Sequence, residues 1–205
     1  MKQFNLLFAL AQACFGEINH GVPFKVLKST RKDYINPGFL ARLLFQGKQI
    51  CTASMLRPAF FVTPASCIVS THLPLFTLVT NSWDGQVDEL RKHPMFGIVD
   101  GMDIAILKSN SHAIHHNYIS LAEQKETKIR LLVGWKLSTP SEISTSKSFN
   151  CPSSFFPGTP VMNPPAIVAF LTTSYNQTTL IKHHRLWIEA TYQKMFLETI
   201  PTFTN

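Results

Sequence analysis

Short apolar or β-branched runs recur at strand length along the chain, from Leu40 to Phe45, Thr52 to Leu56, Phe60 to Thr63, Phe76 to Thr80, Ile104 to Leu107, Ile129 to Val133 and Ala166 to Thr172. Turn formers separate them, namely Asn36-Pro37-Gly38, Gln46-Gly47, Arg57-Pro58, Asp84-Gly85 and Asp100-Gly101. Strand-length runs with this punctuation, and no βαβ alternation, predict an antiparallel β barrel or sandwich. One segment breaks the rhythm. Between Lys182 and Leu197, the residues Ile188, Tyr192, Met195 and Phe196 follow i, i+4, i+7, i+8 spacing, with Pro201 beyond the end, which predicts a single C-terminal helix. Ser138 to Phe156 is poor in apolar residues and rich in Ser, Thr and Pro, so it predicts a long loop. No internal repeat is present.

The first residues follow a different pattern. Lys2 supplies a positive start, Leu6 to Ala11 a short apolar stretch, and Ala11-Gln12-Ala13 a small-residue cleavage pattern. Together they predict a secretory signal peptide over residues 1–16, cut after Ala13 or Gly16, ahead of one domain over 17–205. The stretch is well short of the roughly 18 apolar residues of a membrane span, and no later segment reaches that length without Pro or charge. A secreted, extracellular chain is expected.

Composition agrees with one folded unit. The chain has 205 residues, 45% hydrophobic and 15% charged, enough to bury a core. β barrels commonly form one unit at about 200–250 residues. The 19 basic residues exceed the 12 acidic by seven, but they are scattered, with no run longer than Arg31-Lys32 or Arg91-Lys92-His93. Nucleic acid is therefore not the expected partner, and a basic surface alone suits sulfated glycans, anionic lipid or acidic protein equally.

Export would let cysteines pair. Of Cys14, Cys51, Cys67 and Cys151, the first leaves with a signal cut after Gly16, and three remain: one pair plus a free or intermolecular thiol. On that cut Cys151 is a candidate cross-link between two chains, and the oligomeric state stays open. A cut after Ala13 allows two pairs. Asn176-Gln177-Thr178 is the glycosylation acceptor, expected on a surface loop.

The stretch Gln49-Ile50-Cys51-Thr52-Ala53-Ser54-Met55-Leu56, followed by Phe61-Val62-Thr63-Pro64-Ala65-Ser66-Cys67, resembles the trypsin-like serine proteases, whose pattern is C-G-G-S-L-I and then W-V-L-T-A-A-H-C. Leu90 to Phe96 resembles the strand and H-P-x-F turn, Asp103-Ile104-Ala105-Ile106-Leu107 the D-I-A-L-L segment that carries the catalytic aspartate, Gly134-Trp135 the G-W-G turn, and Leu186-Trp187-Ile188 the start of the C-terminal helix. The resemblance implies two antiparallel β-barrels with a C-terminal helix, the second barrel truncated because the chain is short between Trp135 and Trp187. It also implies a Cys51–Cys67 disulfide.

Fold does not certify activity. The family needs a serine nucleophile, an imidazole base and an orienting carboxylate. Where the family places histidine this chain has Ser66, and a hydroxyl cannot act as general base near neutral pH. Asp103 is retained, and its expected role is structural, accepting hydrogen bonds from Ser66 or nearby amides. Phe155 to Met162 resembles the remains of G-D-S-G-G-P-L-V, which puts Pro157 at the nucleophile and Phe155 at the glycine of the oxyanion hole. Phe156 takes the place of the aspartate that pairs with a freshly cleaved amino terminus. An alignment anchored on Cys151 would instead bring Ser153 or Ser154 near the nucleophile position.

The expectation is a non-catalytic serine protease homologue that binds an extracellular protein, either an active serine protease or an inhibitor, as regulator or cofactor in an extracellular protease cascade of immune or reproductive fluid. The family's inactive members are common in insects. Two alternatives are a residual serine endopeptidase and a glycan-binding protein. No cofactor is expected. Neither His112, His115 and His116 nor His183 and His184 are joined by an evident Cys or carboxylate that would complete a metal site. His72 and His93 read as surface or turn residues, and the basic Lys182, Arg185 and Lys194 as a solvated helix face.

Overall fold

The computed structural model describes residues 37–80, 83–110, 119–121, 131–138, 140, 143–146, 154–163, 166–173 and 178–198. Six strands form a closed barrel: β1 (Leu40–Phe45), β2 (Lys48–Arg57), β3 (Phe60–Thr63), β4 (Phe76–Val79), β5 (Asp84–Lys92) and β6 (Ala105–Ser109), ordered β1-β2-β3-β6-β5-β4 with every pair antiparallel. The β1–β2 hairpin turns at Gln46 and Gly47, both left-handed with φ of 51° and 79°. Positive φ at both positions is the geometry that matches strand twist in a tight hairpin. All six residues from Cys51 to Leu56 are buried, as are all four of β3. That double-sided burial explains why β3 reads as a continuous apolar run, whereas β2 alternates because the residues on its second face, Thr52 and Ser54, are polar though buried.

Asp84-Gly85, expected to mark a turn, belongs instead to β5, with Gly85 paired to Leu78. Just before it, Thr80 N–H donates to the Trp83 carbonyl at 2.8 Å. β5 left little apolar signal because, of its nine residues, only Val87 is fully buried. Its nine-residue length comes from pairing with β4 on one side and β6 on the other, which closes the barrel.

The second half contains β7 (Ser120–Leu121), β8 (Leu131–Trp135), β9 (Ile143–Ser146), β10 (Pro160–Asn163), β11 (Ala166–Leu171) and β12 (Thr178–Leu180). They form a sheet ordered β12-β11-β10-β8-β9, with β7 parallel to β11, and among the described residues it does not close. This is a chymotrypsin-like arrangement whose second barrel is truncated. The loop expected from Ser138 to Phe156 is interrupted by β9, which pairs with β8 from Trp135↔Ile143 to Leu132↔Ser146. With one apolar residue in four, β9 is a strand because β8 offers it a ladder, a tertiary effect that outweighs local preference.

A short 3-10 turn (Ile181–His183) leads into the helix α1 (Arg185–Leu197), which starts three residues later than its periodicity suggests. Ile188 and Met195 are buried, and Tyr192 meets Phe60 edge-on at 4.7 Å. Phe196 does not join them: it is 49% exposed and stacks on Tyr192. The main core runs through both halves, from Leu43 and Phe61 to Trp135, Met162, Phe170 and Ile188. No helix among the described residues is long and apolar enough to cross a membrane.

Candidate functional site

Ser66 sits in a 3-10 turn (Ala65–Cys67) that follows β3 directly after Pro64. The Cys51–Cys67 disulfide, with Cα atoms 6.1 Å apart, ties that turn back to β2. Asp103 lies two residues before β6, next to the fully buried Ile104. The two residues meet. Ser66 Oγ donates to Asp103 Oδ2 at 2.6 Å, and the Ser66 amide donates to Oδ1 at 2.7 Å. Both carboxylate oxygens are thus held by one residue, through short charge-assisted bonds. Thr179 of β12 adds a bond from its hydroxyl to the Asp103 carbonyl at 3.1 Å, linking the second sheet to the same loop.

Across the seam lies the turn 156–159. Its amides are already committed: Phe156 N–H to Trp135 O at 3.1 Å, Gly158 N–H to Leu171 O at 2.7 Å, and Thr159 N–H to Phe156 O at 3.2 Å. Pro157 has no N–H to offer. An oxyanion site needs at least two free donors converging on one point, and this turn presents no such pair. Phe155 is buried and bridges to Lys136. Gly158 has φ 80°, and a Cβ there would overlap the Thr52 carbonyl and crowd Pro64, two residues before Ser66. Thr52 N–H also donates to Pro157 O at 2.7 Å. The turn is therefore pinned against the first barrel beside the Ser66–Asp103 pair.

Chemically, the pair is a hydroxyl held by a carboxylate. Neither group takes the part of an imidazole, which must accept and return a proton near neutral pH. Ser154 is half-buried, and its carbonyl accepts from Leu137 N–H at 2.8 Å. Ser153, Cys14, Cys151, Asn176, His112, His115, His116 and the expected signal segment 1–16 lie outside the described residues. His72 is exposed.

His93 and His184 depart from a plain surface reading. His184 is buried at the foot of α1, and its Nε2–H donates to the Gly101 carbonyl at 2.8 Å, in the loop that leads to Asp103. Its Nδ1 is buried without a hydrogen-bond partner among the described residues. The His93 ring lies 5.4 Å from His184 and 4.8 Å from Trp187. Burial lowers the His184 pKa from its usual value; the Gly101 bond opposes this, and nearby His93 and His183 add to it. Burial lowers His93 as well. Among the described residues no group of three or more His, Cys, Asp or Glu could hold a metal ion. Sequence reading placed His184 in a possible metal pair with His183; its bond to Gly101, 83 residues away, has no local signature.

No protein-family profile matches the sequence, and no curated protein matches it significantly. Solved structures do match. Kallikrein-related peptidase 10, solved in complex with Zn2+ and as a second structure named for the peptidase alone, superposes in both cases with a TM-score of 0.65 at 12% identity, covering 78% of this chain and 97% of that one. The fold is trypsin-like. Within this trypsin-like fold, the barrel strands, the disulfide and the C-terminal helix stand where the motif resemblance implies them.

Proposed function

We propose that this chain is a secreted, non-catalytic serine protease homologue that works by binding an extracellular protein. Its partner is an active serine protease or an inhibitor, and its role is that of a regulator or cofactor in an extracellular protease cascade. The observation that carries this reading is the Ser66–Asp103 pair: both oxygens of the one retained carboxylate are occupied by a serine at the position that resembles the family's histidine. The committed amides of the turn around Pro157 support the same conclusion, because a covalent route would lack base, nucleophile and oxyanion donors together. A residue pair that is held by short hydrogen bonds but cannot move a proton suits a surface kept for its shape.

The test is affinity capture of the tagged protein from its native extracellular fluid, with bound proteins identified by mass spectrometry. The proposal expects an active serine protease or a protease inhibitor, recovered at near-stoichiometric yield and confirmed with purified components. Recovery of receptors or matrix components alone would overturn the cascade role.

A further inference from the structure

The face of the β1–β2 hairpin that meets the second sheet carries a cation that no described carboxylate neutralises. Arg42 stands in mid-β1, paired with Thr52 of β2, and is half-buried. Its guanidinium lies over the Trp135 ring, with Cζ 5.3 Å from the centroid. Among the described residues no carboxylate lies within ion-pair distance of it. A guanidinium that rests its face on an aromatic ring still has its in-plane N–H donors available to a ligand.

Its neighbours are also short of partners. Thr52 Oγ1 and Trp135 Nε1 are buried polar atoms with no hydrogen-bond partner among the described residues, and so are Gln49 Nε2 and Ser54 Oγ elsewhere along β2. Thr52 is fully buried and Trp135 is 1% exposed. Cross-strand partners share one face of a ladder, so Thr52 lies beside Arg42 on the side where Trp135 makes its ring contact. Buried polar groups are rarely left unpaired, and a cluster of them in one place calls for an explanation. Two of them adjoin the Arg42 cation: the Trp135 indole, whose ring lies under the guanidinium, and the hydroxyl of Thr52, its cross-strand partner. Both can donate, and donors beside a positive charge are complementary to an anion.

We propose that Arg42, Trp135 Nε1 and Thr52 Oγ1 form a binding site for a monocarboxylate at the seam between the barrel and the second sheet. The planar fork of a guanidinium matches a carboxylate in bidentate fashion, and one negative charge balances one arginine. The site is separate from the Ser66–Asp103 pair but shares Thr52 with the Pro157 turn, since the Thr52 amide holds the Pro157 carbonyl. The same chemistry is carried by a free small acid and by the C-terminus of a protein chain.

The experiment is a titration of the full-length 15N-labelled protein, following the Arg42 Nε–H and Trp135 indole N–H resonances by NMR. The probes are sodium acetate, sodium chloride at matched ionic strength, N-acetyl-trialanine with a free carboxylate, and the same peptide as its amide. The expected result is a saturable shift of both resonances with acetate and none with chloride. Tighter binding of the free-acid peptide than of acetate, with no binding of the amide, would assign the site to a chain end; binding of acetate alone would assign it to a small acid. Arg42→Gln should weaken acetate binding at least tenfold while Arg42→Lys keeps a weaker saturable response. A flat or merely ionic-strength-dependent titration of the folded wild-type protein would overturn the proposal, whether or not the variants fold.

Discussion

The two β units meet at one seam but are held in different ways. In the first, six strands close on themselves, a disulfide clamps β2 to the Ser66 turn, and no strand edge is left free. In the second, β9 and β12 end the sheet among the described residues, and it meets the barrel through the shared apolar core and through bonds such as Thr52 N–H to Pro157 O and Thr179 Oγ1 to Asp103 O. The contrast shows what each site segment does for the fold. Asp103 holds the Ser66 turn on the closed barrel. The 156–159 turn packs on that barrel, with its amides spent on the chain itself.

The largest expected effect falls on the closed unit. Phe61→Ala, at a fully buried position of β3, should cost about 3–5 kcal/mol in denaturant unfolding. Leu180→Ala on the half-buried edge strand β12 should cost clearly less; equal losses would erase the asymmetry between the two units. Next comes the clamp. Replacing Cys51 and Cys67 by Ser should remove about 3 kcal/mol, for a bridge spanning 16 positions, measured as a lowered unfolding midpoint under non-reducing conditions. An unchanged midpoint would show that the barrel holds the Ser66 turn unaided.

Ser66→Ala sharpens the comparison at the site itself. It removes the hydroxyl bond to Asp103 and leaves the carboxylate only the amide, a loss of about 1.5–3 kcal/mol expected for a bond to a charged group, read by thermal unfolding. A change of well under half that size would mean that water replaces the hydroxyl at no cost.

The smallest effect is a pH dependence at the foot of α1. His184 has its pKa lowered by burial, so the unfolded chain takes up the proton more readily than the folded one. Its contribution is therefore full above the usual histidine pKa of about 6.5 and declines as pH falls below it, levelling once the folded imidazole also titrates. Protonation would leave a buried Nδ1–H without an acceptor among the described residues and place the charge near His93 and His183. Stability should fall between neutral pH and pH about 5 in the wild type. His184→Gln should flatten that decline, and an unaltered slope would assign the effect to other groups.

Much of the barrel was legible because its strands are rich in apolar residues, most clearly β3 and β6, which are buried on both faces. The Cys51–Cys67 bridge and the closeness of Ser66 to Asp103 were legible through the motif resemblance alone, since 37 residues separate that pair and no local pattern connects them. Strands such as β5, β9 and β12 were not, because their neighbours supply the ladder while their own side chains are largely polar. Phe196 shows the limit of periodicity: its spacing fits a buried stripe, yet the helix turns it outward beyond Met195. Arg42 and His184 left no trace in the sequence because their meaning depends on Trp135 and Gly101, which only folding brings beside them.

The central claim is that this site holds its residues without doing hydrolysis. The most direct measurement is labelling of the purified, folded protein with a fluorophosphonate probe, alongside an active trypsin-like protease treated identically. The account predicts no labelling of this chain under conditions that saturate the active enzyme. Stoichiometric labelling that disappears in Ser153→Ala or Ser154→Ala would contradict it.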